Sequence, residues 1–242
     1  MRRLALIALA VLLLLDSNPL GPAGPPRPSP DYGAAGYHHL GATSVDPYTG
    51  VLGRIAVTDP GVRAGTYDFV AARFMAKKDH SGRTDWLEAG WTETGWSGGG
   101  RQRVYTFDTV HNAWTFYDQY PIRAGDRIWI YLETSDTGPN PVWHAWLWWA
   151  DAWHLLAALA LPLDGGAQQE QYVEVYVDPA RGGTIPVPRI STDNVQLRPA
   201  AGGPLGYWRD PDVRTTGGVS TDTYCLDWQV TFDTWSAGDC PA

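Results

Sequence analysis

The stretch EQYVEVYVD, residues 170–178, alternates in a way that separates two chemistries. Read as a strand, it sets Glu170, Tyr172, Glu174, Tyr176 and Asp178 on one face and Gln171, Val173, Val175 and Val177 on the other. A second stretch, DWLEAGWTE at residues 85–93, sets Trp86, Glu88, Gly90 and Thr92 on one face and Leu87, Ala89 and Trp91 on the other. A glutamate among aromatics, with glycine as its neighbour on that face, suits a cleft where something approaches the backbone closely. Glu88 and Glu174 are therefore the candidate catalytic pair. Two carboxyls in one cleft push their proton affinities apart, giving one donor and one acceptor. The bland alternative is that both face solvent on an uncovered sheet face.

Trp86, Tyr172 and Tyr176 fit the wall of a groove that holds an extended polymer, peptide or glycan. With 13 Trp and 12 Tyr in the chain, many rings must instead fill the core. The tripeptide DTG at 136–138 has the letters of an aspartic peptidase turn, but it occurs once, between LETS and PNP, and reads as a loop. No G-x-S-x-G elbow, phosphate-binding glycine loop or H-E-x-x-H helix is present, which disfavours a serine hydrolase, a nucleotide enzyme and a zinc peptidase. Two cysteines and scattered histidines do not make a zinc site, and no compact Asp/Asn loop suggests calcium, so no metal or cofactor is expected.

Around these stretches, short β-branched and aromatic runs recur between turn signals, among them VLGRIAV, YDFVAARFMAK, RVYTFDT and DRIWIYLET. No long amphipathic helix separates them, so the pattern predicts an all-β antiparallel sandwich of the jelly-roll kind. Residues 142–163, VWHAWLWWADAWHLLAALALPL, read as a hairpin with arms near 143–149 and 153–161; a short helix over 151–160 is the alternative. His144, Asp151 and His154 disfavour a membrane helix there.

The first residues, MRRLALIALAVLLLLDSNPLGPAG, have the layout of a secretory signal, expected to end near Ala23. The apolar run is short for a membrane span. Loss of Arg2, Arg3 and Asp16 leaves 16 basic against 25 acidic residues, a net charge of −9, which disfavours nucleic acid as a partner. Residues 24–49 are rich in Pro and Gly and read as a linker, 50–200 as the sandwich domain, and 201–242 as a C-terminal extension. Export to an oxidising compartment makes Cys225 and Cys240 a disulfide pair within that extension. The sequence does not give the oligomeric state.

Taken in order, these segments resemble the glutamic peptidases (eqolisins), secreted jelly-roll sandwiches related in architecture to the concanavalin-like lectins. The likeness spans about residues 67–197. WLEAGW resembles the family's strand bearing its catalytic glutamine; YDQYP, residues 117–121, resembles an aromatic-acid-x-Tyr-Pro segment that follows; IRAGDRIWIYLETS resembles the next strand; and EQYVE resembles the segment that ends in the catalytic glutamate, here Glu174. The resemblance adds Tyr117 and Asp118 to the expected substrate contacts. It departs at the site, because Glu88 stands where the family has glutamine, whose amide helps to stabilise the oxyanion. A carboxyl can donate there only when protonated, so the resemblance implies either acid-limited peptide hydrolysis or none. The cysteines are not the family's, and the chain beyond about Ala200 lies outside the likeness. Two other readings stay open: a two-glutamate glycoside hydrolase, since VEVYVD is loosely similar to the nucleophile strand of jelly-roll xylanases, and a binding sandwich without catalysis.

Overall fold

The computed structural model describes residues 35–80, 82–218 and 220–241. Every regular element among them is a strand, and the strands form two antiparallel sheets. In the first sheet the order is β13 (Thr215–Gly217), β1 (Gly36–Ser44), β10 (Gln168–Val177), β3 (Phe69–His80), β4 (Arg83–Thr94), β5 (Arg103–Asp108), β6 (Ala113–Phe116). The second runs β14 (Tyr224–Val230), β15 (Thr234–Asp239), β11 (Ile190–Arg198), β2 (Gly50–Ala56), β7 (Arg127–Thr134), β8 (Val142–Trp149), β9 (Ala152–Ala160), with β12 (Gly206–Tyr207) paired to β11. The described residues contain no helix long and apolar enough to cross a membrane.

Alternation decides which way each strand faces. Val173, Val175 and Val177 of β10 and Leu87, Ala89 and Trp91 of β4 turn inward and are fully buried. They join Ile128, Ile130 and Leu132 of β7 and Trp143, Ala145 and Leu147 of β8 in one core between the sheets. Each large side chain so buried contributes roughly 2 kcal/mol relative to exposure. The same parity turns the glutamate rows of β10 and β4 to the outer face of the first sheet.

The hairpin expected at 142–163 is formed by β8 and β9, whose register runs from Val142 opposite Ala160 to Trp149 opposite Ala152. Its two-residue turn has both central residues at positive φ, Ala150 at 47° and Asp151 at 62°, the geometry that matches strand twist. No helix forms over 151–160.

Two of the expected boundaries are corrected. The signal and the start of the linker lie outside the described residues, but the linker's 36–44 is strand β1, paired to β10 from Gly36 opposite Val177 to Thr43 opposite Glu170. Its Pro- and Gly-rich neighbourhood masks an alternating run that buries His38, Leu40, Ala42 and Ser44. Gly41, at φ 149°, belongs to the strand because a Cβ there would meet the carbonyl oxygen of Gln171 at 1.9 Å. The expected C-terminal extension is likewise part of the sandwich: β14 and β15 form one edge of the second sheet, and Trp208, Tyr224 and Trp235 are fully buried. Cys225 and Cys240 are disulfide-bonded across that edge hairpin.

Candidate active site

Five adjacent strands of the first sheet, β1, β10, β3, β4 and β5, bring the chemistry together on its outer face. A row across the sheet reads Gly41, Tyr172, Arg73, Gly90, Tyr105. One step along the strands lies the row Thr43, Glu170, Met75, Glu88, Phe107, and one step the other way lie His39, Glu174, Ala71 and Thr92. The Arg73 guanidinium therefore lies among three carboxyls. Gly90, beside it, is required by close backbone approach, since a Cβ there would meet the carbonyl oxygen of Ala72 at 2.0 Å.

Arg73 divides its donors unequally. Glu174 Oε2 accepts from Nε at 3.1 Å and from Nη2 at 2.8 Å. Glu170 Oε2 accepts from Nη1 at 3.0 Å, and its Oε1 lies 2.5 Å from Lys77 Nζ and accepts from Thr43 Oγ1 at 3.3 Å. Glu88 meets the guanidinium only through Oε2, 3.2 Å from Nε, while its Oε1 accepts from the Tyr105 hydroxyl at 3.1 Å. His39 Nε2 stands 3.5 Å from Glu174 Oε2. Glu88 and Glu174 thus face each other across one shared nitrogen. The solvent-exposed reading fails, since Glu88 is 6% and Glu174 9% exposed.

Charge and burial separate the two carboxyls. Around Arg73 stand three carboxyls against two permanent cations, Arg73 and Lys77, so one proton on a carboxyl balances the cluster. Burial, reinforced by the charges of Glu174 and Glu170, outweighs the Arg73 charge at Glu88 and pushes its carboxyl up to about 7. Burial acts upward on Glu174 as well, but there the Arg73 charge and His39 outweigh it and hold the group down at about 2. Arg73 and Lys77 likewise hold Glu170 below the usual carboxylate range against its burial. Burial first, then the Glu88 charge, raises the Tyr105 phenol well above its usual range, so it remains a donor. Between those limits Glu88 holds a proton while Glu174 is ionised, and a carboxyl of each kind is what proton transfer in both directions needs.

Aromatic side chains surround this cluster on the same face. Tyr176 stacks on Phe69 and tilts against Tyr37, and Trp114 stacks on Tyr105. Trp86 stacks on Phe107 beside Glu88, and the Tyr172 ring lies 5.5 Å from the Arg73 guanidinium carbon, its hydroxyl 3.0 Å from Thr43 Oγ1. Trp86, Tyr172 and Tyr176 therefore share the face of Glu88 and Glu174. Tyr117 does not: its hydroxyl donates to the carbonyl of Leu156 in the other sheet, and its ring packs against the inner core. Asp118 is held by Arg103 at the rim, apart from the charged cluster. Asp136 of the DTG tripeptide accepts from the amide of Gly138, a local turn. Among the described residues no three His, Cys, Asp or Glu side chains converge as a metal site.

Sequence reasoning passed over Arg73, His39, Lys77 and Tyr105 as site residues. The available signal was parity: Phe69, Ala71, Arg73, Met75 and Lys77 share one face of YDFVAARFMAK, and an arginine flanked on that face by Ala71 and Met75 calls for buried anions.

No protein-family model matches the chain, and no curated protein matches it in sequence. Solved structures do match its shape. Scytalido-glutamic peptidase with a transition-state analogue inhibitor superposes with a TM-score of 0.57 at 13% identity, covering 84% of this chain and 98% of that one. A second structure of that peptidase, with a peptide-based transition-state analogue, gives the same TM-score and identity over 85% of this chain. SCP-B, a member of the eqolisin family of peptidases in complex with the tripeptide Ala-Ile-His, gives 0.53 at 13% identity, over 85% of this chain and 98% of its own. The chain therefore has the two-sheet β-sandwich fold seen in the eqolisin glutamic peptidases.

Proposed function

We propose that this protein is a glutamic-peptidase-like hydrolase that cleaves peptide bonds in acid, with Glu174 as general base and then acid, and Glu88 as the protonated donor to the oxyanion. The observation that carries the reading is the placement of Glu88 and Glu174 around one buried guanidinium nitrogen on an aromatic face. Ionised Glu174 takes a proton from water as the water oxygen attacks the scissile carbonyl carbon. The oxygen of that carbonyl becomes negative and accepts a hydrogen bond from the Glu88 carboxyl. Glu174 then returns its proton to the leaving amine as the C–N bond breaks. The pair works above about pH 2, where Glu174 is ionised, and below about pH 7, where Glu88 holds its proton. An extended polypeptide lying over Trp86, Tyr172 and Tyr176 is the substrate, and the disulfide supports an extracellular site of action.

A second reading, glycoside hydrolysis, is favoured by the same split between a protonated and an ionised carboxyl on an aromatic face. The deciding experiment follows hydrolysis of a denatured protein and of soluble β-glycans from pH 2 to 7, beside a Glu174→Gln variant. Protein cleavage that falls on the order of 10²- to 10⁴-fold in the variant supports the peptidase. Glycan cleavage alone moves the assignment to a glycosidase. Cleavage of neither by the wild type sinks both and leaves a binding sandwich.

A further inference from the structure

Glu170 is the third carboxyl at Arg73, and the proposed reaction gives it nothing to do. It is as buried as Glu88, at 6% exposed, and both its oxygens are engaged, one by Arg73 and the other by Lys77 and Thr43. Its contacts are all with the protein, and it fixes the end of the guanidinium opposite Glu174. A guanidinium is planar, so gripping Nη1 on one side sets where Nε and Nη2 point on the other. They point at Glu174, which receives two contacts, while Glu88 receives one longer one. The Tyr172 ring lies beneath the guanidinium, and Gly90, paired opposite, lets the backbone of β3 approach where a Cβ would meet the Ala72 carbonyl oxygen.

We propose that Arg73 is the positioning residue of the catalytic pair and Glu170 its strut: Glu170, held by Lys77 and Thr43, aims the guanidinium at Glu174 and so decides which of the two carboxyls carries the proton. The inference rests on the reading of Glu88 and Glu174 as the working pair. It differs from a plain charge-balance account, because a lysine at position 73 would supply the same charge without the fork. The groups that face Arg73 are Glu170, Tyr172 and Glu174 from β10, Glu88 from β4, Tyr105 from β5, Tyr37, His39 and Thr43 from β1, and Lys77 from its own strand. Glu170 acts on the pair in two ways of known sign: it orients Arg73 toward Glu174, and its negative charge raises the proton affinity of Glu88.

The test is a titration of glutamate side-chain carboxyls by ¹³C NMR in the full chain, with Glu88→Gln and Glu174→Gln spectra to assign the two signals. In Glu170→Gln we expect the Glu88 transition to fall and the Glu174 transition to rise, so that the two approach each other. In Arg73→Lys we expect the Glu174 transition to rise while the fold, read by circular dichroism, is retained. In Arg73→Gln the rise is larger, on the order of 1 to 3 pH units. Lys77→Gln, one contact further out, moves the pair least. If Glu170→Gln and Arg73→Lys fold and leave both transitions where they were, the inference is overturned. Should Arg73→Gln fail to fold, those two variants carry the test alone. The titration needs no substrate, so a protein that cleaves nothing but shows converging transitions refutes the proposed function and keeps the proton order. A peptidase whose transitions do not move refutes only the strut.

Discussion

On the outer face of the eight-stranded sheet, Arg54 forks onto Asp193, which Arg127 also holds, and Arg198 pairs with Glu133; Trp129 and Tyr131 lie against these arginines. On the outer face of the seven-stranded sheet the same residue types meet in the opposite proportion, with one arginine among three carboxyls. The second sheet gives each acid at least one arginine and leaves much of the face open, with Trp153 40% and Leu155 48% exposed. The first sheet buries its acids and leaves them short of cations. Aromatic and charged residues on a sheet face are thus common to both; what distinguishes the candidate site is an excess of buried carboxyl over cation, which forces one carboxyl to keep a proton near neutral pH.

The contrast can be broken most strongly at Glu88. In Glu88→Gln the amide donates at every pH, so we expect the fall in kcat/KM toward pH 7 to disappear while the acid limb set by Glu174 stays; a pH–rate profile that keeps its upper limb would place that limb elsewhere. Stability should show the same pair without any substrate. Glu88 binds its proton more tightly folded than unfolded, so its contribution is complete below the unfolded value near 4.5 and is lost as pH rises toward 7. Glu174 binds its proton less tightly when folded, so its contribution is complete above about 4.5 and is lost as pH falls toward 2. Thermal melting should therefore peak between pH 4 and 5, and Glu88→Gln should flatten the alkaline side of that peak.

The opposite face should respond weakly. Arg54→Ala removes one of two arginines from a half-exposed pair, and we expect a loss of under about 1 kcal/mol by chemical denaturation with activity unchanged. An effect of similar size and opposite sign is expected at the Ala150–Asp151 turn that closes the hairpin of that sheet. Ala150→Gly relieves a left-handed alanine and should stabilise by roughly 1 kcal/mol in a melting experiment.

Much of this arrangement was legible in the chain. Strict alternation in EQYVEVYVD told which side chains share a face, because a strand has a period of two whatever it pairs with. The β8–β9 hairpin was legible because it closes over a short separation, and the Cys225–Cys240 bond because the chain has only these two cysteines behind a stretch laid out as an export signal. Arg73 was not, because its role depends on β3 lying between β10 and β4, and the Tyr172–Arg73 pairing joins residues far apart in sequence. The placement of Tyr117 failed similarly: an aromatic followed by an acid gives no sign of which side of the sheet the ring will enter. Strand β1 was hidden by the prolines and glycines that precede it, although Tyr37, His39, Gly41 and Thr43 alternate with buried partners as clearly as β10 does.

That strand sets a limit on how the chain can be trimmed at its N-terminal side. β1 is an interior member of its sheet, hydrogen-bonded to β10 on one edge and to β13 on the other. A protease cut after Ser44 would separate from the rest of the sheet His39, which helps to hold Glu174 ionised, and Thr43, which braces Glu170. It would also turn β10, the strand that carries both glutamates, into an open edge able to recruit a foreign strand. The nine residues of β1 are therefore a segment that the sheet cannot lose without exposing β10.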